Sequence, residues 1–209
     1  DTMAHTTRGW EVAMGEAFGK AIKGSCENIV RLFLGSPLLS PESMVAPLCK
    51  ACSMGNKDIV AMFLQHDHIV DVNGRHKYWT PLGKAAAKGH SHIIDLLLTD
   101  PNIDVHRLSL SMLPLCIAVS RGKIEAVRSL LRHPAIDVNK EAMGRTALFS
   151  SFEHRHLDIF SLLLQHPDID VNKKALLGII VLRQDAQVVR MITSHPKIDV
   201  NALHGDRTP

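Results

Sequence analysis

The chain has 209 residues, of which 45% are hydrophobic and only 4% aromatic, and 24 basic residues nearly balance 21 acidic ones to give a net charge of +3. This composition provides enough apolar material for a well-buried core, and its charge is too even to indicate nucleic-acid binding. No apolar run reaches 18 residues, the N-terminus lacks a signal-peptide pattern and the four cysteines have no framework spacing, so we expect no membrane span and a cytoplasmic or nuclear protein.

The N-terminal part carries a weak form of a pattern that becomes clear further along the chain. Residues 1–16 show no repeat and are predicted to form a cap or a worn partial repeat. From Ala17 onwards, small and apolar residues recur in the order of two short helices. The segment 35–45 contains two prolines and is irregular, which predicts a loop.

Three later copies of one pattern begin at Thr80, Leu113 and Thr146, so the intervals between them are both 33 residues. Self-similarity at a fixed period of this length is typical of a stacked repeat array. A last copy is shorter, because His195 lies only 29 residues after His166. The predicted repeats lie near 17–45, 46–79, 80–112, 113–145, 146–174 and 175–203, and residues 204–209 are predicted to begin a truncated further repeat, as in a fragment of a longer chain.

One copy is predicted to form two helices and a turn. The alanines at 85–87 favour a first helix, and Gly89 suits the left-handed conformation that ends it. Apolar residues at 93, 94, 97 and 98 form the stripe of a second helix, which Pro101 then stops. A single copy cannot bury this stripe, so we expect neighbouring copies to cover it.

With Thr-Pro-Leu, an alanine pair, Gly-His, paired aliphatic residues and a period of 33, the chain resembles the ankyrin repeat. The resemblance implies an all-α solenoid of about six helix-turn-helix modules joined by short β-hairpins. The family's histidine after Thr-Pro-Leu is replaced by Gly83, Cys116 and Phe149, so the hydrogen bonds that it anchors are not expected here. Arg155 and Gln184 replace the capping glycine at a cost of roughly 1 kcal/mol each, which predicts a less rigid C-terminal end.

Two groups of residues resemble reactive sites but have simpler interpretations. Cys49 and Cys52 have the Cys-x-x-Cys spacing of a redox pair, yet both align with small residues of a first helix and are expected in the core. His133, His166 and His195 recur with the module, at separations of roughly 10 Å that are too long to share one metal ion. We therefore expect no enzyme, cofactor or metal site, and a thiol or metal sensor is the weakest alternative.

The resemblance also implies that partners bind the concave side, formed by hairpin tips and the exposed face of each first helix. Equivalent positions place Met54, Lys88, Arg121, His154 and Arg183 in one mostly basic column, which favours an acidic peptide or protein. Trp79, Met112 and Arg145 are equivalent at the tips, and an exposed Trp is a common interface anchor. The predicted partner-binding residues are Arg75, His76, Lys77, Trp79, Lys88, Leu110, Met112, Arg121, Met143, Arg145, His154 and Arg183.

The sequence therefore predicts a monomeric, non-catalytic module that binds another protein. The alternative is a structural spacer or substrate-recruiting part of a larger multidomain enzyme, channel or effector. Ankyrin arrays are also substrates of an asparaginyl hydroxylase, and the resemblance implies Asn139 and Asn172 as its targets, each with a leucine eight residues earlier.

Overall fold

The computed structural model describes residues 14–36, 40–66, 70–173 and 176–200. Most of the predicted N-terminal cap at 1–16, and all of the predicted truncated repeat at 204–209, lie outside these residues. The helices of the described part are α1 (14–23), α2 (Glu27–Leu34), α3 (Pro41–Met54), α4 (Lys57–Leu64), α5 (Pro81–Lys88), α6 (Ser91–Leu97), α7 (Pro114–Ser120), α8 (Ile124–Leu131), α9 (Ala147–Glu153), α10 (Leu157–Leu164), α11 (Leu176–Leu182) and α12 (Ala186–Thr193).

The helices form six successive pairs that stack side by side in two layers. The first helices α3, α5, α7 and α9 pack in series, and the second helices from α2 to α12 pack in a parallel series. Ile93, Ile94 and Leu97 of the predicted stripe are fully buried between neighbouring modules. The prediction of an all-α repeat solenoid is confirmed, because each module buries its apolar stripe against the next one.

The ends of the first helices are fixed by side chains that the repeat supplies. The hydroxyl oxygens of Thr80 and Thr146 accept hydrogen bonds from the N–H groups of Gly83 and Phe149, at 3.0 and 3.1 Å. These N-caps satisfy donors that the first turn leaves unpaired. At the other end of α5, Gly89 adopts a left-handed φ of 78°, as the sequence predicts.

Helix α3 begins earlier than expected, so the prediction of a loop through 35–45 is wrong from Pro41 onwards. Ala46 occupies the position of the capping threonines and has no hydroxyl group. The helix instead extends back to Ser40, whose side chain accepts a hydrogen bond from the N–H of Ser43 at 3.4 Å. Pro41, which suggested a loop, stands at the first helical position, where its missing N–H costs nothing.

The turns between modules are narrower than the predicted hairpins. Antiparallel bridges pair His76 with Trp79, Ser109 with Met112 and Ala142 with Arg145, and the described residues contain no longer strand. The two residues at each tip have positive φ, as in the tight turns that join paired strands. Each tip is therefore a tight two-residue turn closed by a single bridged pair.

A second connection between modules is a row of hydrogen bonds that we name the asparagine ladder, formed by Asn73, His106, Asn139 and Asn172. The Asn139 side-chain amide donates to the carbonyl of Asp168 at 2.6 Å and accepts from the N–H of Asp170 at 2.8 Å. Asn73 and Asn172 make the same two bonds to the module that follows each of them. At the one ladder position that is not an asparagine, His106 Nε2 accepts a hydrogen bond from the N–H of Asp137 at 3.0 Å.

The hydrogen bonds that the missing family histidine would anchor are replaced at Gly83. Ser109 is fully buried, and its Oγ accepts from the N–H of Thr80 and lies 2.9 Å from the Thr80 hydroxyl oxygen. A Cβ added at Gly83 would lie only 2.1 Å from this oxygen. The absence of a side chain at Gly83 therefore makes room for a serine from the following turn.

Candidate functional site

The predicted basic column lies at the ends of the first helices. Lys88 ends α5, Arg121 follows α7 and His154 follows α9, and all three side chains are exposed. Since α5, α7 and α9 pack in series, these side chains follow one another along one surface, which we name the first-helix face. Met54, at the end of α3, and Arg183, after α11, are also exposed, and the Arg183 guanidinium lies 5.3 Å from the Phe152 ring centroid.

The tips add bulky apolar side chains to the edge of this face. We name Tyr78, Leu110 and Met143 the tip row; their exposed fractions are 74%, 47% and 78%. Their φ angles of 68°, 51° and 51° are left-handed, a conformation that costs a residue with a Cβ roughly 1–2 kcal/mol. The Leu110 N–H donates to the Tyr78 carbonyl at 3.0 Å, so neighbouring tips are directly joined.

An apolar cleft of about 280 Å³ lies between the second and third tips. Leu110, Met112, Ala142 and Met143 line it, and Met112 is half-buried against the core. Arg145 stands at its rim and forms an ion pair with Glu153 at 2.7 Å. The Arg145 charge is thus already compensated by a carboxylate of the following module.

Trp79 has a different environment from the exposed anchor that the sequence suggested. Its ring is half-buried, and the Lys84 ammonium lies 4.3 Å from the ring centroid in a cation–π contact. Arg75 and Lys77 of the same turn are exposed, and His76 is half-buried. The exposed aromatic residue of this turn is instead Tyr78, which was not among the predicted partner-binding residues.

A basic groove runs along the first helices of the N-terminal modules. A cleft of about 370 Å³ and an adjoining one of about 730 Å³ share Ala46, Lys50, His76 and Lys77 as lining residues. We name the joined clefts the lysine groove, after the five lysines that line it: Lys20, Lys23, Lys50, Lys77 and Lys84.

Burial disfavours the reactive thiolate forms of Cys49 and Cys52. Burial raises the pKa of Cys49 to about 12, and burial also raises the pKa of Cys52 well above its ordinary value. Both residues belong to α3 and are buried in the hydrophobic core, and Cys49 Sγ is 3.5 Å from the Trp79 carbonyl oxygen. A reactive cysteine needs a stabilised thiolate, so these two residues are packing residues.

The recurring histidines have a structural role in their own turns. Nδ1 of His133, His166 and His195 accepts a hydrogen bond from the N–H two residues later, at 3.3, 3.3 and 3.2 Å. Within the described ranges, no three His, Cys, Asp or Glu side chains come together as metal ligands. The same residues contain no helix that is both long and apolar enough to cross a membrane.

Comparison with known proteins agrees with this architecture. The family model described as ankyrin repeats (3 copies) matches residues 18–109 and 108–175, which is more than half of the chain. The chain therefore belongs to the ankyrin repeat family. Ankyrin repeats are generally protein–protein interaction modules and are typically non-catalytic. No curated protein matches the sequence.

Proposed function

We propose that this array, over residues 17–203, is a non-catalytic module that binds a partner protein on the first-helix face and the tip row. The observation that carries the proposal is the tip row. Three successive turns place Tyr78, Leu110 or Met143 in solvent, in backbone conformations that Gly or Asn would adopt at lower cost. Strained, exposed apolar side chains are a common feature of functional surfaces.

The partner is expected to insert an apolar side chain into the cleft between Leu110 and Met143. A buried apolar anchor in such a cleft contributes more to affinity than the contacts around it. The basic column of Lys88 and Arg121 lies alongside and would attract acidic groups and accelerate the encounter. The remaining predicted contacts, Arg75, His76, Lys77, Trp79, Met112, Arg145, His154 and Arg183, belong to the same proposed surface.

Replacing the tip residues tests this proposal without damage to the fold. In the double variant Leu110→Asn with Met143→Asn, each new side chain tolerates the left-handed conformation, so the variant should fold at least as stably as the parent. Proteins retained from a cell extract by the immobilised parent should be lost by this variant. Leu32→Gln is the matched control, because Leu32 is 76% exposed on the second-helix layer. Equal retention by the parent and the double variant would refute the proposal.

The basic column is tested by charge reversal. Lys88→Glu with Arg121→Glu should weaken binding of a retained partner by at least roughly tenfold, since like charges then face each other. Helix content, measured by circular dichroism, should not change. Lys57→Glu with Arg190→Glu makes the same change of charge on second helices and should leave the affinity unaltered. If the two pairs act equally, the column has no specific role.

A structural spacer is the alternative function, and the same capture experiment separates the two. A spacer within a larger enzyme, channel or effector retains no specific protein on its first-helix face. Specific retention that depends on the tip row therefore favours a recognition module. We also propose that the protein is intracellular and that the array is monomeric. Gel filtration at several concentrations would check the oligomeric state.

Asparaginyl hydroxylation at Asn139 and Asn172 is a further part of the proposal. Both side chains are held in the asparagine ladder, so the enzyme would act on a locally opened turn. Mass spectrometry of protein isolated from its natural source should show one added oxygen atom on Asn139, and unmodified peptide throughout would exclude this modification.

A further inference from the structure

The lysine groove is a concentration of positive charge without ion-pair partners among the residues that the structure describes. Its described lining residues carry five ammonium groups and one carboxylate, that of Glu16. None of these lysines forms an ion pair with another described residue, whereas Arg145 and Arg155 are paired with Glu153 and Asp185. The groove therefore presents a positive potential to solvent.

The titration of two lining groups responds mainly to burial and, to a smaller extent, to the neighbouring lysines. Burial lowers the pKa of Lys84, and the ammonium groups of Lys88 and Lys50 lower it further against an opposing effect of the Cys49 thiol. Burial also lowers the pKa of His76, with added contributions from Lys77 and Lys84. An anionic ligand would relieve this repulsion, because an opposite charge nearby favours the protonated forms.

We propose that the lysine groove binds an extended, aspartate- and glutamate-rich segment of the partner protein. This inference rests on the proposed function, since the segment belongs to a protein held on the same face. The lysines come from α1, α3, α5 and the first tip and are distributed along two joined clefts. Several single charges spaced along an extended chain match this distribution better than one concentrated charge does.

Two other anions fit the groove less well. A single phosphate group is bound best by convergent donors and arginine forks, and all of the fixed cations here are lysines. A nucleic acid strand needs aromatic rings on which its bases stack. Trp79 is the one indole, phenol or phenyl ring among the described lining residues, and Lys84 already faces it.

Fluorescence anisotropy with three labelled probes tests the inference. The probes are an oligo-glutamate peptide, a neutral peptide with one phosphoserine, and a single-stranded oligonucleotide with the same charge as the oligo-glutamate. The parent chain should bind oligo-glutamate most tightly, with an affinity that falls as salt is added. Lys50→Gln with Lys77→Gln should weaken this binding by roughly tenfold. Lys57→Gln with Arg190→Gln, which removes the same charge from second helices, should change it by less than twofold.

Three results would overturn the inference. Equal losses in the two double variants would show that only net charge matters. Tighter binding of the phosphoserine peptide or of the oligonucleotide would assign the groove to those ligands. Absence of oligo-glutamate binding at low salt would remove the site altogether. The tip variant Leu110→Asn with Met143→Asn keeps every lysine of the groove and should bind oligo-glutamate normally, so this inference and the proposed function fail independently.

Discussion

Single residues decide how closely neighbouring modules approach, and the glycines at the ends of first helices show this best. Gly122 has a φ of 63°, and a Cβ added to it would lie 2.8 Å from the His156 ring of the next module. Gly55 has a φ of 74°, and a Cβ added to it would lie 2.9 Å from the His90 ring. Arg155 and Gln184 have φ of 58° and 55° at equivalent positions, so this part of the chain accepts the strain that glycine avoids.

Gly122→Ala should therefore destabilise the protein by about 1–2 kcal/mol through left-handed strain, with an added cost as His156 moves. Urea unfolding monitored by circular dichroism measures the change. Gly35→Ala is the matched control, because Gly35 has a φ of −81° and ordinary space around it, and it should be nearly neutral. Similar losses in both variants would mean that backbone conformation is not the cause.

His106 gives the asparagine ladder a dependence on pH. Its Nε2 accepts a hydrogen bond from the N–H of Asp137, so the folded state requires the neutral ring. Burial lowers the pKa of His106 from its ordinary 6.5, Lys140 and His133 lower it further, and Asp104 and Asp137 oppose them. The contribution to stability is complete above pH 6.5 and is lost as the pH falls from 6.5 towards the lowered pKa, because the unfolded chain then takes up the proton first.

In His106→Asn the ladder has an amide that does not titrate. The parent should lose stability relative to this variant as the pH falls below 6.5, and the difference should be constant above it. Urea unfolding at a series of pH values measures both. If the difference in unfolding free energy between the two proteins does not vary with pH, the hydrogen bond of His106 does not depend on a neutral ring.

The cysteines supply a third test at the scale of residues. Cys49, Cys52 and Cys116 are buried, and burial raises the pKa of Cys49 and of Cys116 to about 12. At pH 8 a maleimide should label the exposed Cys26 rapidly and the other three only after unfolding. Fast labelling of Cys49 in the folded protein would reopen the thiol-sensor interpretation.

Among the elements, the ladder and the tips contain what the sequence could only partly predict. Helix pairs were predictable where the repeat is regular, because periodic apolar residues and capping residues act within one module. The start of α3 was missed, since Ser40 caps it from outside the repeat pattern. Ladder bonds such as that of Asn139 to Asp168 join different modules, and only stacking reveals them.

The candidate site was predictable to a similar extent. Alignment of the copies indicated Lys88, Arg121, Leu110 and Met143, because equivalent positions recur along one face. Tyr78 was missed because its equivalents are Ser111 and Gly144, which gave no apolar pattern. Lys20, Lys50 and Lys84 occupy equivalent positions of successive first helices, so the sequence carried a signal for the lysine groove. It was missed because this column ends there, with Ile117 and Ser150 at the next two equivalent positions.

The ladder is expected to stabilise the array measurably. Asn139→Ala removes two hydrogen bonds to the next module and should cost about 1–3 kcal/mol in urea unfolding. Asn102→Ala is the control, because the Asn102 side chain is exposed and only its backbone takes part in the ladder. A loss no greater than that of the control would assign the coupling between modules to the apolar core alone.

For the whole molecule, the central claim is that residues one module apart are neighbours along one face. Pairs of spin labels test it directly, on cysteines introduced at two of the positions Met54, Lys88, Arg121 and His154. The parent carries Cys26→Ser, so that its remaining natural thiols are buried. Double electron–electron resonance should show label separations that increase by about 8–10 Å with each module, as for helices packed in series. If the separation between positions 54 and 154 is no longer than that between 88 and 154, the modules do not stack in order, and the proposed binding face does not exist.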